Sequence, residues 1–329
     1  MRFMGDSYGS IREWREKEIQ NHMSDAHSLN VFHDRVMRTV FERSLQIVKE
    51  EKGDPPSPYA WFVMGSAGRF EQGAVSDQDH GMVYEKSGAA EEEYFLALGK
   101  ELSDGLHAAG YPYCEGKVMS SNPLWCKSAE GYEGQLDKWM EDVSFESMRY
   151  LQIFIDARTM AGDDKLLVRL KRRVDNHQKK TPKLLQRFLD TIMHIKPSVG
   201  PLGQIFTESS GHYQGCLNIK QAAFLPYVNA VRILAIKEGI MESSTLERIN
   251  SLSRQGEYKN ELEIYKDSFL RLLQFRMSNL KRIKEYDDVH YLPVQDLTRA
   301  EKKELKTILK NGKKLHHYVQ VIIEKGVHS

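Results

Sequence analysis

Between residues 64 and 84 the chain reads MGSAGRFEQGAVSDQDHGMVY. This reach holds a Gly-Ser pair (Gly65, Ser66), an arginine about one turn further on (Arg69), and two aspartates separated by one residue (Asp77, Asp79). Like charges so close repel, so either water screens them in a loop or a cation lies between them. A β-prone run, YAWFVMGS (59–66), leads into the Gly-Ser turn. A strand that ends there and opens a helix would aim backbone N–H groups and the Ser66 hydroxyl at an anion such as phosphate. Arg69 is placed to reach the same anion. If residues 76–82 enter a strand, alternation puts Asp77 and Asp79 on one face. Paired carboxylates are hard oxygen ligands suited to Mg²⁺, which prefers a few carboxylates plus substrate phosphate oxygens. Two such ions about 4 Å apart can activate an attacking oxygen and stabilise a leaving phosphate.

The elements that must position these groups are legible in outline. Residues 29–51 carry apolar side chains close to helical spacing (Val31, Phe32, Val36, Val40, Leu45, Val48) and end in the breaker cluster KGDPPSP. GMVYE (81–85) reads as a strand. Residues 91–110 read as a helix with Phe95, Leu98, Leu102 and Leu106 on one face and Gly110 as its stop. Beyond about residue 165 helical periodicity takes over. Thr181-Pro182 has the form of an N-cap followed by proline, and Ser244/Glu247 and Thr298/Glu301 have capping-box spacing. The expected fold class is α+β: a helical lead-in (1–52), a small mixed sheet of 53–170, then an all-helical bundle domain (171–329). The functional cleft is expected between the last two.

Composition narrows the function classes. The 329 residues are 40% hydrophobic and 28% charged, with a net charge of +1, which gives no global attraction to nucleic acid or membrane. No apolar stretch approaches the roughly 20 residues of a membrane span, and the start lacks a secretory signal. Cys114, Cys126 and Cys216 form no CxxC pair and cannot make a disulfide framework. A cytoplasmic, reduced protein is expected. The basic runs 171–187 and 299–314 have apolar helical spacing, so solvated faces are expected rather than nucleic-acid contacts. Lys220 and Arg232 fall on a predicted helix, either on a solvated face or meeting a phosphate across the cleft. His80 should point away from the aspartates in a structural role. His33-Asp34 is expected on a helix surface, and His316-His317 has no ligand partner at useful spacing. The tryptophans are expected to pack.

GSAGRFEQGAVSDQDHGMVY resembles the signature of the nucleotidyltransferase superfamily that includes DNA polymerase β and the aminoglycoside nucleotidyltransferases. Its GR-x-EQ and SDQD elements look most like the nucleotidyltransferase family related to bacterial PII-protein uridylyltransferases, often found attached to CBS domains; no CBS domain is visible here. Later stretches also resemble that family: CEGKVMSSNPLW (114–125), FIDARTMAGD (154–163), NIKQAAFLPYVNAVRILAIKEGI (218–240) and STLERINSL (244–252). The resemblance implies that Gly65 and Ser66 hold the terminal phosphates of a nucleoside triphosphate and that Arg69 neutralises them. It implies that Asp77 and Asp79 bind Mg²⁺ or Mn²⁺. The implied reaction is in-line attack by an acceptor hydroxyl, a protein hydroxyl among the candidates, on the α-phosphorus with release of pyrophosphate. Such chemistry depends mostly on positioning and charge neutralisation. Active superfamily members supply a third carboxylate from a later strand. Glu115 is the first candidate here and Asp156 the second, the latter alternatively pairing with Arg158 on one strand face. Without a third acid the protein would be a catalytically weak or inactive nucleotide-binding regulatory sensor; a nucleic-acid scaffold is a third alternative.

Overall fold

The computed structural model describes residues 7–181, 183–193, 197–278 and 286–327. The chain divides into two compact units, Met1–Val174 and Asp175–Ser329. In the first, α1 (Tyr8–Glu18) opens on a capping box between Ser7 and Ser10. The long helix α2 (Ala26–Lys52) follows, capped by Asp25 and closed by Gly53 at φ +84°. Of the apolar series the sequence predicts, Phe32, Val36, Val40 and Val48 are buried together with Leu29 and Leu45 is partly buried, while Val31 falls off the stripe and is exposed.

Four short strands form one mixed sheet: β1 (Tyr59–Val63), β2 (His80–Tyr84), β3 (Cys126–Ser128) and β4 (Arg158–Gly162). Their order is β3-β2-β1-β4, with β1 antiparallel to both neighbours and β2 parallel to β3. Every residue of β2 is buried, as both faces of the central strands are covered. Between β1 and β2 lies α3 (Gly65–Gly68), and after β2 comes α4 (Ala89–Ala108). Phe95, Leu98, Leu102 and Leu106 of α4 join the α2 stripe, Trp61 and Tyr84 in one core. Helices α5 (Ala129–Asp142) and α6 (Phe145–Ile155) are each opened by a serine cap, and α7 (Asp164–Lys180) follows β4.

The second unit is helical, with α8 (Lys183–Ile192), α9 (Leu225–Lys237), α10 (Thr245–Arg254), α11 (Lys259–Ser278) and α12 (Arg299–Val327). A two-stranded antiparallel pair, β5 (Cys216–Asn218) with β6 (Tyr291–Pro293), is its only sheet among the described residues. The architecture is α+β: a small mixed sheet followed by a helical region. Ser244 caps α10, and Thr298 and Glu301 make reciprocal bonds at the start of α12. Pro182, expected to open a helix, lies outside the described residues. Among the described residues no helix is long and apolar enough to cross a membrane.

Candidate functional site

The Gly-Ser turn sits where β1 ends. Met64 donates its N–H to the Asp79 carbonyl at 2.7 Å, so the ladder between β1 and β2 extends one pair past the strands, bringing the turn beside the aspartates. Gly65 adopts φ +54°, a left-handed conformation that glycine enters without steric cost. A methyl group at this position would lie 2.1 Å from Oδ2 of Asp79, so the missing side chain is also the space the carboxylate occupies. The helix expected after the turn is one turn long, Gly65–Gly68. An anion seat here therefore rests on local N–H groups and the Ser66 hydroxyl, since so short a helix builds little dipole. The Ser66 hydroxyl lies 3.3 Å from that of Ser76.

Asp77 and Asp79 precede β2 rather than lying within it, and both are half-buried. The extended alternation nevertheless holds through them. Gln78 points the other way and donates its amide to the carbonyls of Ser103 and Tyr111, both at 3.1 Å. His80 is fully buried on that side between Gln78 Oε1 (3.0 Å) and the Ser120 hydroxyl (3.0 Å). Burial pulls its imidazole down to about 3, which keeps it neutral and structural.

The partner brought to the aspartates is Cys114. Two backbone bonds dock its segment on theirs: Gln78 N–H to the Pro112 carbonyl (3.1 Å) and His80 N–H to the Val118 carbonyl (3.0 Å). Ligand atoms of Asp77, Asp79 and Cys114 all lie within 4.8 Å of one another. Burial raises the Cys114 thiol to about 12, aided by the charge of Asp79 and by a hydrogen bond to it. No local spacing in the sequence ties Cys114 to the aspartates, because its neighbours in space come from a distant segment.

Neither candidate for a third carboxylate joins that trio. Glu115 is exposed in a tight turn closed by Lys117 N–H to the Cys114 carbonyl at 2.9 Å. Asp156 is fully buried, but as the residue capping the end of α6 rather than as part of a strand. It accepts from Arg69 Nη1 at 2.7 Å, while Arg69 Nε donates to Glu71 at 2.8 Å. Burial disfavours the Arg69 charge, yet the two carboxylates outweigh it and hold the guanidinium firmly protonated. Arg69 thus faces two carboxylates in the fold, whereas a triphosphate contact was expected. Arg158 pairs not with Asp156 but with Asp34, fork to fork at 2.8 and 2.8 Å, and donates to the Ala67 carbonyl at 3.0 Å.

The surface position expected for His33-Asp34 and for Arg232 gives way, while Lys220 is exposed as on a solvated face. His33 and Asp34 are buried, not on a helix surface. His33 Nε2 donates to the Gly73 carbonyl and its Nδ1 accepts from the Tyr111 hydroxyl, each at 2.9 Å. Arg232 is buried and donates to Asn229 at 2.7 Å, while Lys220, exposed, lies 3.2 Å from His290 Nε2. The second unit holds a cavity of about 610 Å³ lined by Asn218, Gln221, Asn229, Glu208 and Tyr291 among others.

A family model described as "Putative nucleotidyltransferase DUF294" matches residues 15–146, which contain the Gly-Ser turn, both aspartates and Cys114. A second, described as "Putative nucleotidyltransferase substrate binding domain", matches residues 182–322. The chain belongs to the putative nucleotidyltransferase family. No curated protein matches it. Strands β1, β2 and β3 and the Gly-Ser turn fall in the first matched region, β4 lies beyond it, and the cavity of about 610 Å³ falls in the second.

Proposed function

We propose that this nucleotidyltransferase moves a nucleoside monophosphate from a nucleoside triphosphate to a hydroxyl of an acceptor, dependent on a divalent cation. The observation that carries the reading is the convergence of the Asp77 and Asp79 carboxylates beside a glycine whose missing side chain leaves room for that of Asp79. Such a donor set fits Mg²⁺ or Mn²⁺, which take a few carboxylates and leave other positions to water and phosphate oxygens. Bound there, the cation would neutralise charge on the triphosphate.

The chain's own groups would position the substrate. The Ser66 hydroxyl and the N–H groups of the Gly-Ser turn would take the terminal phosphate oxygens, and the aspartates would orient the α-phosphate side. The acceptor oxygen forms a bond to the α-phosphorus as the bond from phosphorus to the bridging oxygen breaks. Pyrophosphate leaves with that electron pair, and the acceptor's proton passes to solvent or to a site carboxylate. Arg69 would hold the turn in place through Asp156 and Glu71 rather than touch the phosphates. The acceptor, with a regulatory protein among the candidates, would be engaged by the 182–322 region, consistent with its description.

One observation favours a second reading, a nucleotide sensor with little turnover: Glu115 faces solvent and Asp156 is locked to Arg69, so no third carboxylate stands with the pair among the described residues. Titrating each of the four nucleoside triphosphates, with and without Mg²⁺, into wild type and Asp77→Asn/Asp79→Asn separates the two. Mg²⁺-dependent binding lost in the variant, with pyrophosphate release, supports transfer. Binding without release supports the sensor, and no binding by wild type removes both.

A further inference from the structure

We infer that Cys114 is the third ligand-bearing side chain of the cation site, making it a mixed carboxylate–thiolate centre that prefers borderline divalent ions such as Mn²⁺, Co²⁺ or Zn²⁺ over Mg²⁺. The inference rests on the reading of Asp77 and Asp79 as cation ligands and goes beyond it in assigning the third corner.

Three features of the fold carry it. The Cys114 sulfur and one oxygen from each aspartate lie within 4.8 Å of one another, close enough for one ion to touch all three. The sulfur is held in place: the Gln78–Pro112 and His80–Val118 backbone bonds bracket it, and a turn from Cys114 to Lys117 with Lys117 at φ +53° turns Glu115 outward. The glutamate one residue away is thereby excluded from the site, while the thiol faces Asp79 and hydrogen-bonds it. A cation held here would take the place of the thiol proton, which would leave to solvent, with the Cys114 sulfur and the Asp77 and Asp79 carboxylates as the groups that hold it. Sulfur donors shift preference toward softer metals, and carboxylates alone would favour Mg²⁺.

The test is titration of the full chain with Co²⁺, followed by calorimetry and by the near-ultraviolet sulfur-to-cobalt charge-transfer absorption. Wild type is expected to bind Co²⁺ more tightly than Mg²⁺ and to develop the band at one equivalent. Cys114→Ser and Cys114→Ala should lose the band and bind Co²⁺ more than about tenfold more weakly, with Mg²⁺ affinity little changed. Circular dichroism of both variants shows whether either has unfolded, and the second stands in if the first has. Cys114→Asp should raise Mg²⁺ affinity relative to Co²⁺. A band that persists in both variants means another thiol binds the metal and overturns the inference. So does Co²⁺ binding in wild type, lost in Asp77→Asn/Asp79→Asn, without any band; that result leaves the carboxylate site standing. Absence of any divalent binding that depends on the aspartates overturns the carboxylate reading itself.

Discussion

Gly65 and Asp79 occupy one another's space: a methyl group on the glycine would meet Asp79 Oδ2 at 2.1 Å, and the glycine backbone sits at φ +54°. The pairing explains why a glycine precedes the serine. Any larger side chain must push the carboxylate out of the position it shares with Asp77 and Cys114. Gly65→Ala should therefore cost about 1–2 kcal/mol in stability through the left-handed backbone alone. It should also weaken Mn²⁺ binding at least about tenfold, which corresponds to a further 1.4 kcal/mol or so. Thermal melting and calorimetric titration read the two losses separately. Unchanged Mn²⁺ affinity would mean that the carboxylate does not need that space.

Arg69 shows a different economy of charge. Its guanidinium is mostly buried, its side chain 14% exposed, between Glu71 and Asp156 at 3% and 1%. Removing it takes one buried cation away from two buried carboxylates at once, so Arg69→Ala should destabilise by about 3–5 kcal/mol. Arg69→Lys should recover part of that loss, since one ammonium cannot match the fork that serves both acids. All four tryptophans, Trp14, Trp61, Trp125 and Trp139, lie in the first unit, so urea unfolding followed by tryptophan fluorescence reports that unit. A loss of nucleotide affinity with no loss of stability would instead make Arg69 a phosphate ligand.

What the sequence shows and what it hides follow from the range of the interactions. The Gly-Ser turn, the alternation of Asp77 and Asp79 against Gln78 and His80, the α2 and α4 stripes and the serine and threonine caps are set within a few residues, and they are legible. Cys114, the Arg69–Asp156 pair and the Asp34–Arg158 pair join segments far apart in the chain, and no local period reports them. The run 150–155 is apolar enough for either a strand or a helix. Ser144 decides for the helix by accepting from the Ser147 N–H, which moves Asp156 from a strand face to a helix end. The burial of His33 is invisible in its own helix, because Tyr111 and Gly73, which cover it, come from distant segments.

The Asp34–Arg158 fork ties α2 to β4, and the third bond, Arg158 to the Ala67 carbonyl, ties both to the turn that carries Ser66. Hydrogen bonds to charged groups contribute about 1.5–3 kcal/mol, and this pair is partly exposed, so Arg158→Ala should cost at the lower end of that range. Arg158→Lys should rescue little, because a single ammonium cannot span two carboxylate oxygens and a carbonyl. If the link to Ala67 positions the phosphate seat, nucleotide affinity falls along with stability in both variants. If affinity holds while stability falls, the pair serves the fold alone. Urea unfolding and nucleotide titration on the same preparations decide it.

His33 and His80 set an acid limit on the first unit. Burial holds both folded-state imidazoles down at about 3, against an ordinary histidine value of about 6.5. Between those values the unfolded chain takes up protons that the folded chain refuses, so stability is fully present above pH 6.5 and is lost as pH falls through that window. Each imidazole contributes a slope of up to about 1.4 kcal/mol per pH unit, and the two together up to about 2.7. Trp61 lies 6.2 Å from the His80 ring, ring centre to ring centre, so its fluorescence follows the very region that must open. The urea midpoint should be flat from pH 8 to pH 7 and fall steeply from about pH 6 to pH 5. His80→Gln, which keeps a neutral hydrogen-bonding side chain, should cut that acid slope by about half. A midpoint that does not move between pH 7 and pH 5 would mean that both imidazoles find water or a counter-charge when protonated, and that their burial does not govern acid stability.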